Sequence, residues 1–459
     1  MSLTYRAPGI YIKEVANPNS VSTSGAFNTT AIVAPASSTI PITNIVQTKG
    51  SGSTDTIVDT NGTAYAAGVV NSVTAIGDLP GFENYTVTTD YTIADNVITW
   101  VSSNKPAEGA QYYVSITRNK VAADYLPIRF YSVDDCRTQY GYELVNGVVN
   151  PMTMLSMLEM EGRDGNGSIL CTQTTDGMTQ SFLDAIDKLE TEDVDTLICS
   201  GVTNSTVRNY AIQHCTKMSS ESNKHERTMF CAPETLTASI ATINALSAAI
   251  ANDRVTMITP PQVNVTAYDY GTGESVTTAL SSIYAGANIS GMESSADFDV
   301  ATPLLNKQIS TKITIDPDYD YIRAEKLSLG AGNNLILERN VLTEAVTIFD
   351  ALTTDGTSAE TQERSIRRIK DKVRKEVRFA LEKRYIGQKN LLSVKSSIEM
   401  TTSALLQNFI DAQILTGKRN ITCKQGTDPR QLILTFQIQP VWAVKWVDVS
   451  FSIENVTAA

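Results

Sequence analysis

The sequence predicts a mixed α/β protein in several parts: a parallel α/β core, a small inserted β-sandwich or barrel, and a C-terminal α+β unit. Three observations carry this reading. Short apolar strands alternate with helical stretches between about 150 and 260, as in a parallel sheet covered on both faces. Residues 36–122 are rich in Thr, Ser, Gly and Asn and have strand patterns but no convincing helix. Near the end, a long amphipathic helix precedes alternating strands. A chain of 459 residues is too long for one core and should form about two to four domains. The expected divisions are an arm at 1–35, the β-rich insert at 36–122, the α/β domain at 123–340 and the C-terminal domain at 341–459.

The first element is isolated. "APGIYIKEV" (7–15) alternates as a strand, and the polar "ANPNSVSTSGAFNTT" (16–30) cuts it off from any nearby partner. In the insert, "YTVTTDYTI", "NVITWVS" and "AQYYVSITR" are β-branched and aromatic, divided by turns such as "ADN" and "NKPAEG". Beyond 150 the period changes. "GMTQSFLDAIDKLE" places Met178, Phe182, Ile186 and Leu189 on one helical face, and "VDTLICS" reads as a buried strand. A helical stretch from about 205 to 221 leads to the strand "RTMFCAP". A helix at 235–252, with Leu236, Ile240, Ile243 and Ile250 at helical spacing, leads to the strand "RVTMITPP". Right-handed crossovers should join these units.

In the last region "TQERSIRRIKDKVRKEVRFALEKRYIG" is the strongest helix. Ile366, Ile369, Val373, Val377 and Leu381 form its apolar stripe, and Gly387 lies just past its end. A second helix, "TTSALLQNFIDAQIL", is predicted to end at Gly417. Two alternating strands, "QLILTFQIQ" and "KWVDVSFSI", close the region, with Val447, Val449, Phe451 and Ile453 on one face.

Composition narrows the function classes. With 42% apolar and 19% charged residues this is an ordinary soluble globular chain. "MSLTYRAPG" lacks a charged start and an apolar run, so no signal peptide is expected. "TLTASIATINALSAAIAN" is too rich in Thr, Ser and Asn to span a bilayer. Cys136, Cys171, Cys199, Cys215, Cys231 and Cys423 contain no C-x-x-C pair and read as buried free thiols, suited to a reducing cytoplasm. The net charge of −12 argues against nucleic acid as a partner. Residues 361–385 depart from this, holding ten Lys or Arg against four acids, a net +6 that leaves −18 elsewhere. Without interleaved aromatics, that helix reads as a solvated amphipathic face or as a dock for an acidic protein, ahead of nucleic acid.

Catalytic chemistry is sparse. The two histidines, His214 and His225, have no Cys or second His at metal spacing. "GRDGNGS" (162–168) alternates like a calcium loop through Asp164, Asn166 and Ser168, but Thr175 stands where the bidentate acid belongs. Phosphate-loop, dinucleotide and nucleophile-elbow motifs are absent from the sequence. No catalytic residue, metal or cofactor is expected, and the protein reads as a non-enzyme.

Several of these stretches together resemble the tail sheath proteins of contractile-tailed bacteriophages. "APGIYIKEV" is similar to their Pro-Gly-aliphatic-Tyr-Ile start, and "TTAIVAPAS" to the strand entering their core. "VDTLICSG" and "RTMFCAPE" resemble the family's α/β domain, described as subtilisin-like in fold. "ALTTDG", the charged helix, "RYIGQKN" and "DPRQLILTFQIQPVWAVKWVDVSFSI" resemble its C-terminal domain.

The resemblance implies a structural subunit of a helical homopolymer, with stacked hexameric rings, around an inner tail tube protein. Baseplate and tail terminator proteins are further implied partners. Contraction would drive the tube through the host cell envelope for genome delivery, placing the protein in the virion tail after assembly in the host cytoplasm. The lone strand, with Pro8, Gly9, Ile10, Tyr11, Ile12 and Val15, and the final strand, with Val447, Val449, Phe451 and Ile453, would add to neighbouring subunits' sheets. The linker at 16–30 could reach roughly 50 Å if extended. Arg364, Arg367, Arg368, Lys372, Arg374, Lys375 and Arg378 would meet the inner tube through charge. The alternatives are the sheath of a headless contractile particle and, of a different class, a cytoplasmic α/β hydrolase.

Overall fold

A computed structural model describes residues 29–450 apart from 166, 296–297, 341, 446 and 449. The first described strand, β1 (Thr29–Ala34), is central rather than peripheral. It is fully buried from Thr30 to Ala34, as its near-continuous apolar run requires of a strand covered on both faces.

The chain then leaves the core for the insert: β2 (Thr39–Thr48), β3 (Thr54–Thr56), β4 (Val70–Gly77), β5 (Tyr91–Ala94), β6 (Val97–Trp100) and β7 (Gln111–Asn119). These form two three-stranded sheets, ordered β2-β7-β4 and β3-β6-β5. Their inner faces share a separate core of Ile45, Ile57, Ile76, Ile98, Tyr112, Val114 and Ile116. Trp100 sits in this core, its ring met edge-on by Tyr85, Tyr91 and Tyr112 at 5.2, 5.9 and 5.5 Å. Its indole N–H donates to the buried Asp55 carboxylate at 2.7 Å.

The main body resumes with β8 (Ile128–Phe130), α1 (Val133–Tyr140), the short hairpin β9 (Leu144–Val145) and β10 (Val148–Val149), α2 (Pro151–Gly162) and β11 (Ser168–Gln173). There follow α3 (Thr179–Asp187), β12 (Thr196–Cys199), α4 (Ser205–Met218), β13 (Thr228–Cys231), α5 (Ile240–Ile250) and β14 (Val255–Thr259). The hairpin of β15 (Gln262–Asp269) and β16 (Glu274–Ser281) comes next, then α6 (Ile283–Ser294), β17 (Ile313–Thr314), α7 (Arg323–Ala331), β18 (Leu335–Arg339) and β19 (Val346–Ala351). One sheet of eight strands runs β19-β18-β14-β13-β12-β1-β11-β8. Its six inner strands are parallel, and β19 and β8 close the edges antiparallel. The sheet is therefore mixed rather than purely parallel, and it runs past residue 340 to take in β19.

The central helix α6 has its sequence explained by its place. A glycine from each helix allows α2 to cross it at backbone contact: a Cβ on Gly291 of α6 would lie 1.9 Å from the Glu159 carbonyl oxygen, and one on Gly162 of α2 2.1 Å from that of Asn288. Beside this crossing, Thr30 Oγ1 of β1 lies 2.9 Å from Ser290 Oγ and accepts from Arg163 Nη2 at 3.2 Å. The crossing thus locks α2, α6 and β1 together.

The C-terminal unit holds α8 (Ala359–Gln362), α9 (Arg364–Tyr385), α10 (Leu392–Asp411), β20 (Leu415–Gln425) and β21 (Leu432–Pro440). One sequence expectation is corrected here. The second helix starts at Leu392 and stops at Asp411, because Ile398, Thr402, Leu406 and Phe409 give the buried face. The partner of "QLILTFQIQ" is the preceding polar stretch β20, antiparallel to it. Of "KWVDVSFSI", residues 446, 449 and 451–453 lie outside the described residues.

Candidate assembly interface

The features bearing on assembly gather around α9. Its predicted apolar stripe is buried as its period demands: Ile366, Ile369, Val373, Val377 and Leu381 are all shielded. Val373, Val377 and Leu381 pack with Ile398 and with Leu432, Leu434, Phe436 and Ile438 of the hairpin. Ile366 and Ile369 pack with Val300 and Ile414. This stripe joins α9 to the β20–β21 hairpin.

The flanks of the stripe join α9 by charge to α6 and to the loops that lead into β12, β13 and β14. Arg364 grips Glu293 through Nε and Nη2 at 2.9 and 2.7 Å, reaches Thr256 Oγ1 at 3.1 Å, and lies 3.8 Å over the Phe230 ring. Arg368 donates to the Glu293 backbone carbonyl at 2.8 Å. Asp371 accepts from Arg254 at 2.7 and 3.0 Å and from Arg367 at 2.6 Å, while Arg367 also reaches Asp253 at 2.7 Å. Further along, Arg378 forks onto Glu226 at 2.7 Å on both oxygens, and Arg374 lies 3.6 Å from the same carboxylate. Lys375 bridges Asp193 and Asp195 at 2.8 and 2.5 Å.

The pairs made by Glu293 and Asp371 are buried on both sides, and their titration reflects it. Burial alone would raise the Glu293 and Asp371 carboxyls. The guanidinium groups of Arg364 and Arg368, and of Arg254 and Arg367, outweigh burial and hold both below the ordinary carboxylate range.

This placement gives the basic residues partners within their own chain. Arg364, Arg367, Arg368, Arg374, Lys375 and Arg378 were expected to face an inner tube. The structure instead turns them onto acids of their own α/β core, and Lys372 pairs within the helix with Glu376 at 2.8 Å. The cause is the low-dielectric groove between helix and sheet, where an unpaired acid or base would be costly. The positive charge exposed on α9 is that of Lys383 and Arg384.

The arms stand differently. Pro8, Gly9, Ile10, Tyr11, Ile12 and Val15, with Val449, Phe451 and Ile453, lie outside the described residues. Val447 is 74% exposed and belongs to no strand. Just before it, Lys445 is pinned by Asp350 at 2.8 Å and Glu363 at 2.6 Å. The β20–β21 sheet has two strands, and neither outer edge is paired among the described residues. Eleven- and nine-residue strands with open edges are templates for strand addition.

Neither histidine is placed for hydrolysis. Arg227 can only donate, so His214 Nε2 accepts from it at 2.7 Å and the ring proton sits on Nδ1. Burial and the Arg227 charge push the His214 pKa down to about 3. Asp187 and Glu190 lie beside this ring, but Asp187 accepts from Tyr210 at 2.5 Å and Glu190 pairs with Lys217. His225 faces Asp193 at 3.9 Å. Among the described residues, neither imidazole is bonded to a Ser, Thr or Cys side chain. The six cysteines are buried and free. No helix among the described residues is long and apolar enough to cross a membrane.

This architecture, an eight-stranded mixed sheet with a small β insert and a C-terminal helix–hairpin unit, is similar in fold to a contractile sheath protein. It matches the contracted helical sheath of the anti-feeding prophage, solved by cryo-EM, with a TM-score of 0.59 at 11% identity over 98% of this chain and 99% of the other. A chain of the six-fold symmetrised anti-feeding prophage baseplate gives 0.59 at 12% identity, over 98% and 100%. A chain of that baseplate in its contracted state gives 0.54 at 12%, over 72% and 89%. No family model matches the chain, and no curated protein does.

Proposed function

We propose that this chain is the sheath subunit of a contractile tail, assembling with copies of itself into a helical tube around an inner tube. The observation that carries the reading is the fold match to a contracted helical sheath over nearly the whole of both chains. The main sheet is taken as the subtilisin-like core of such subunits, a fold that by itself brings no protease chemistry.

The open-edged β20–β21 hairpin supports the strand-exchange part of the proposal. A neighbour's "APGIYIKEV" and "KWVDVSFSI" would each add to an outer edge. Head-to-tail links of this kind do not close on themselves and so build a tube. Contraction is then a rigid-body change of lattice with the arms kept in place. The partners are the chain itself, an inner tube protein, and baseplate and tail terminator proteins, with genome delivery through a host envelope as the outcome in a phage. Contact with the tube would use surface cations such as Lys383 and Arg384, since the deeper arginines are engaged. The same design serves a headless contractile particle.

Negative-stain electron microscopy of the purified full chain tests the proposal, with tubes or stacked rings as the expected result. A discrete monomer at assembly concentrations would overturn it. Deleting residues 1–20 should abolish the tubes and leave a protomer that unfolds cooperatively. If the deletion prevents folding instead, the strand belongs to its own chain's core.

A further inference from the structure

The inserted sandwich carries a cleft lying outside the elements assigned a part in assembly above. Its floor is the outer face of β7, where Tyr113 and Ser115 alternate with the buried Tyr112, Val114 and Ile116. On both sides of this floor the ladder is interrupted at the same level. β2 shifts register against β7 between Ile42 and Ile45, and β4 between Val73 and Ala75. Paired bulges across one strand set Thr43 and Asn44 on one flank and Thr74 on the other, with Asn44 at φ 57°.

One end is walled by the loop at 78–84, which is tied down. Gly81 N donates to Asn44 Oδ1 at 2.8 Å, and Tyr85 Oη donates to Asp78 at 2.5 Å. Gly77 lets the loop lie against β4, since a Cβ there would stand 1.9 Å from the Phe82 carbonyl oxygen. A fixed loop thus holds Phe82 at the rim, 62% exposed. The space in this open cleft is about 400 Å³, within the range of small-ligand sites.

The lining selects its ligand. Thr43, Thr74, Ser115 and Tyr113 offer hydroxyls, Asn44 an amide, and Glu83 a carboxylate. Ser115 Oγ accepts from Asn44 N at 3.2 Å and keeps its own proton to donate. The side-chain oxygens of Thr43, Thr74, Glu83 and Tyr113 bond no described residue. No Lys or Arg lines the cleft, so phosphate or sulfate would find no counter-charge, and Glu83 repels other anions. An apolar ligand would strand these polar groups. What fits hydroxyl partners beside one exposed ring face is a neutral hydroxylated ring with an apolar C–H side.

We propose that this cleft binds a neutral saccharide. Phe82 stacks on the C–H face of a sugar ring, while Thr43, Thr74, Tyr113 and Ser115 bond its hydroxyls and Glu83 accepts from a vicinal pair.

The test is saturation-transfer NMR on the full chain with maltotriose, chitotriose and, as an anionic comparator, sialyllactose. At least one neutral trimer should bind with a Kd of about 1 mM, a weak single-site affinity. Phe82→Ala, a change at an exposed side chain, should weaken it by at least about tenfold, the factor that about 1.4 kcal/mol sets. Thr74→Val should also weaken it, and sialyllactose should not bind. The proposal fails if neither neutral trimer binds, if both variants bind as wild type does, or if sialyllactose binds equally. Tubes are scored on the same samples and should be unchanged. Their loss in Phe82→Ala would assign this rim to subunit contacts and overturn the saccharide site.

Discussion

Replacing Glu293 with Gln tests whether the ionic seam along α9 holds the protomer together. Gln keeps the shape and removes the charge. The Arg364 and Arg368 side chains, 1% and 4% exposed, would then face each other in a dry pocket without their shared counter-ion. Neither guanidinium can escape by losing its proton. Breaking a buried pair from one side costs about 3–5 kcal/mol, or roughly 10 °C of melting temperature in a domain of this size. The intrahelical Lys372–Glu376 pair is more open, at 15% and 35% exposed, and Lys372→Gln should cost only about 0.5 kcal/mol. Removing both sides tests the logic further: Glu293→Leu with Arg364→Leu should be less damaging than Glu293→Gln alone, because one fewer cation is left uncompensated. Chemical and thermal unfolding of unassembled protomer would measure all three. If Glu293→Gln stays within about 1 kcal/mol of wild type, or the double variant is the worse one, the seam is not what docks α9.

Two other perturbations are independent of that seam. The His214 pKa is depressed to about 3, so the unfolded chain takes up a proton below about pH 6.5 while the folded chain does not. Its contribution is full above that pH and is lost as pH falls toward 3. At pH 5 the loss is about 2 kcal/mol, and His214→Gln should flatten stability across pH 7.5 to 5; an unchanged slope would contradict this. Gly291→Ala places a methyl against the Glu159 carbonyl oxygen and should destabilise by about 2–3 kcal/mol through overpacking, whereas Ala at the exposed Gly177, where nothing lies within 4 Å, should be near neutral. Urea midpoints would separate the two.

The sequence was most informative where local period and burial coincide. The strands at 196–199, 228–231 and 255–259 and the stripe of α9 follow from apolar spacing alone, and the structure has them within a few residues. Distant pairings left less trace. β1 carries the right residues for a buried strand, but its partners are Ser168–Gln173 and Thr196–Cys199, across the whole insert from it. β20 reads as polar because it is half of an exposed hairpin, so its alternation is weak. The charge excess of α9 was visible as a number, while the acids that neutralise it, among them Asp193, Asp195, Glu226, Asp253 and Glu293, lie 71 to 182 positions away. A net charge cannot report that pairing. The cleft of the insert was illegible for a related reason: it is made by two register shifts that no periodicity encodes.

α9 has a consequence for how force could cross the subunit. Its stripe grips the hairpin through apolar contacts, and its flanks grip α6 and the loops entering the sheet through ion pairs. If neighbours pull on the hairpin edges, as strand exchange requires, the load reaches the core through these pairs and the directional bonds that fix them. Glu226 is the place to test this, being fully buried beneath Arg374 and Arg378. Glu226→Gln should loosen the C-terminal half of α9 while leaving the parallel strands intact. Native-state hydrogen exchange reads this directly: amides near Arg378 should exchange roughly tenfold or more faster, as about 1.4 kcal/mol of lost local stability requires. Those of β12 and β13 should keep their protection. Equal acceleration in α9 and the strands would mean that seam and sheet open as one unit, and α9 would then be part of the core rather than a coupling rod docked onto it.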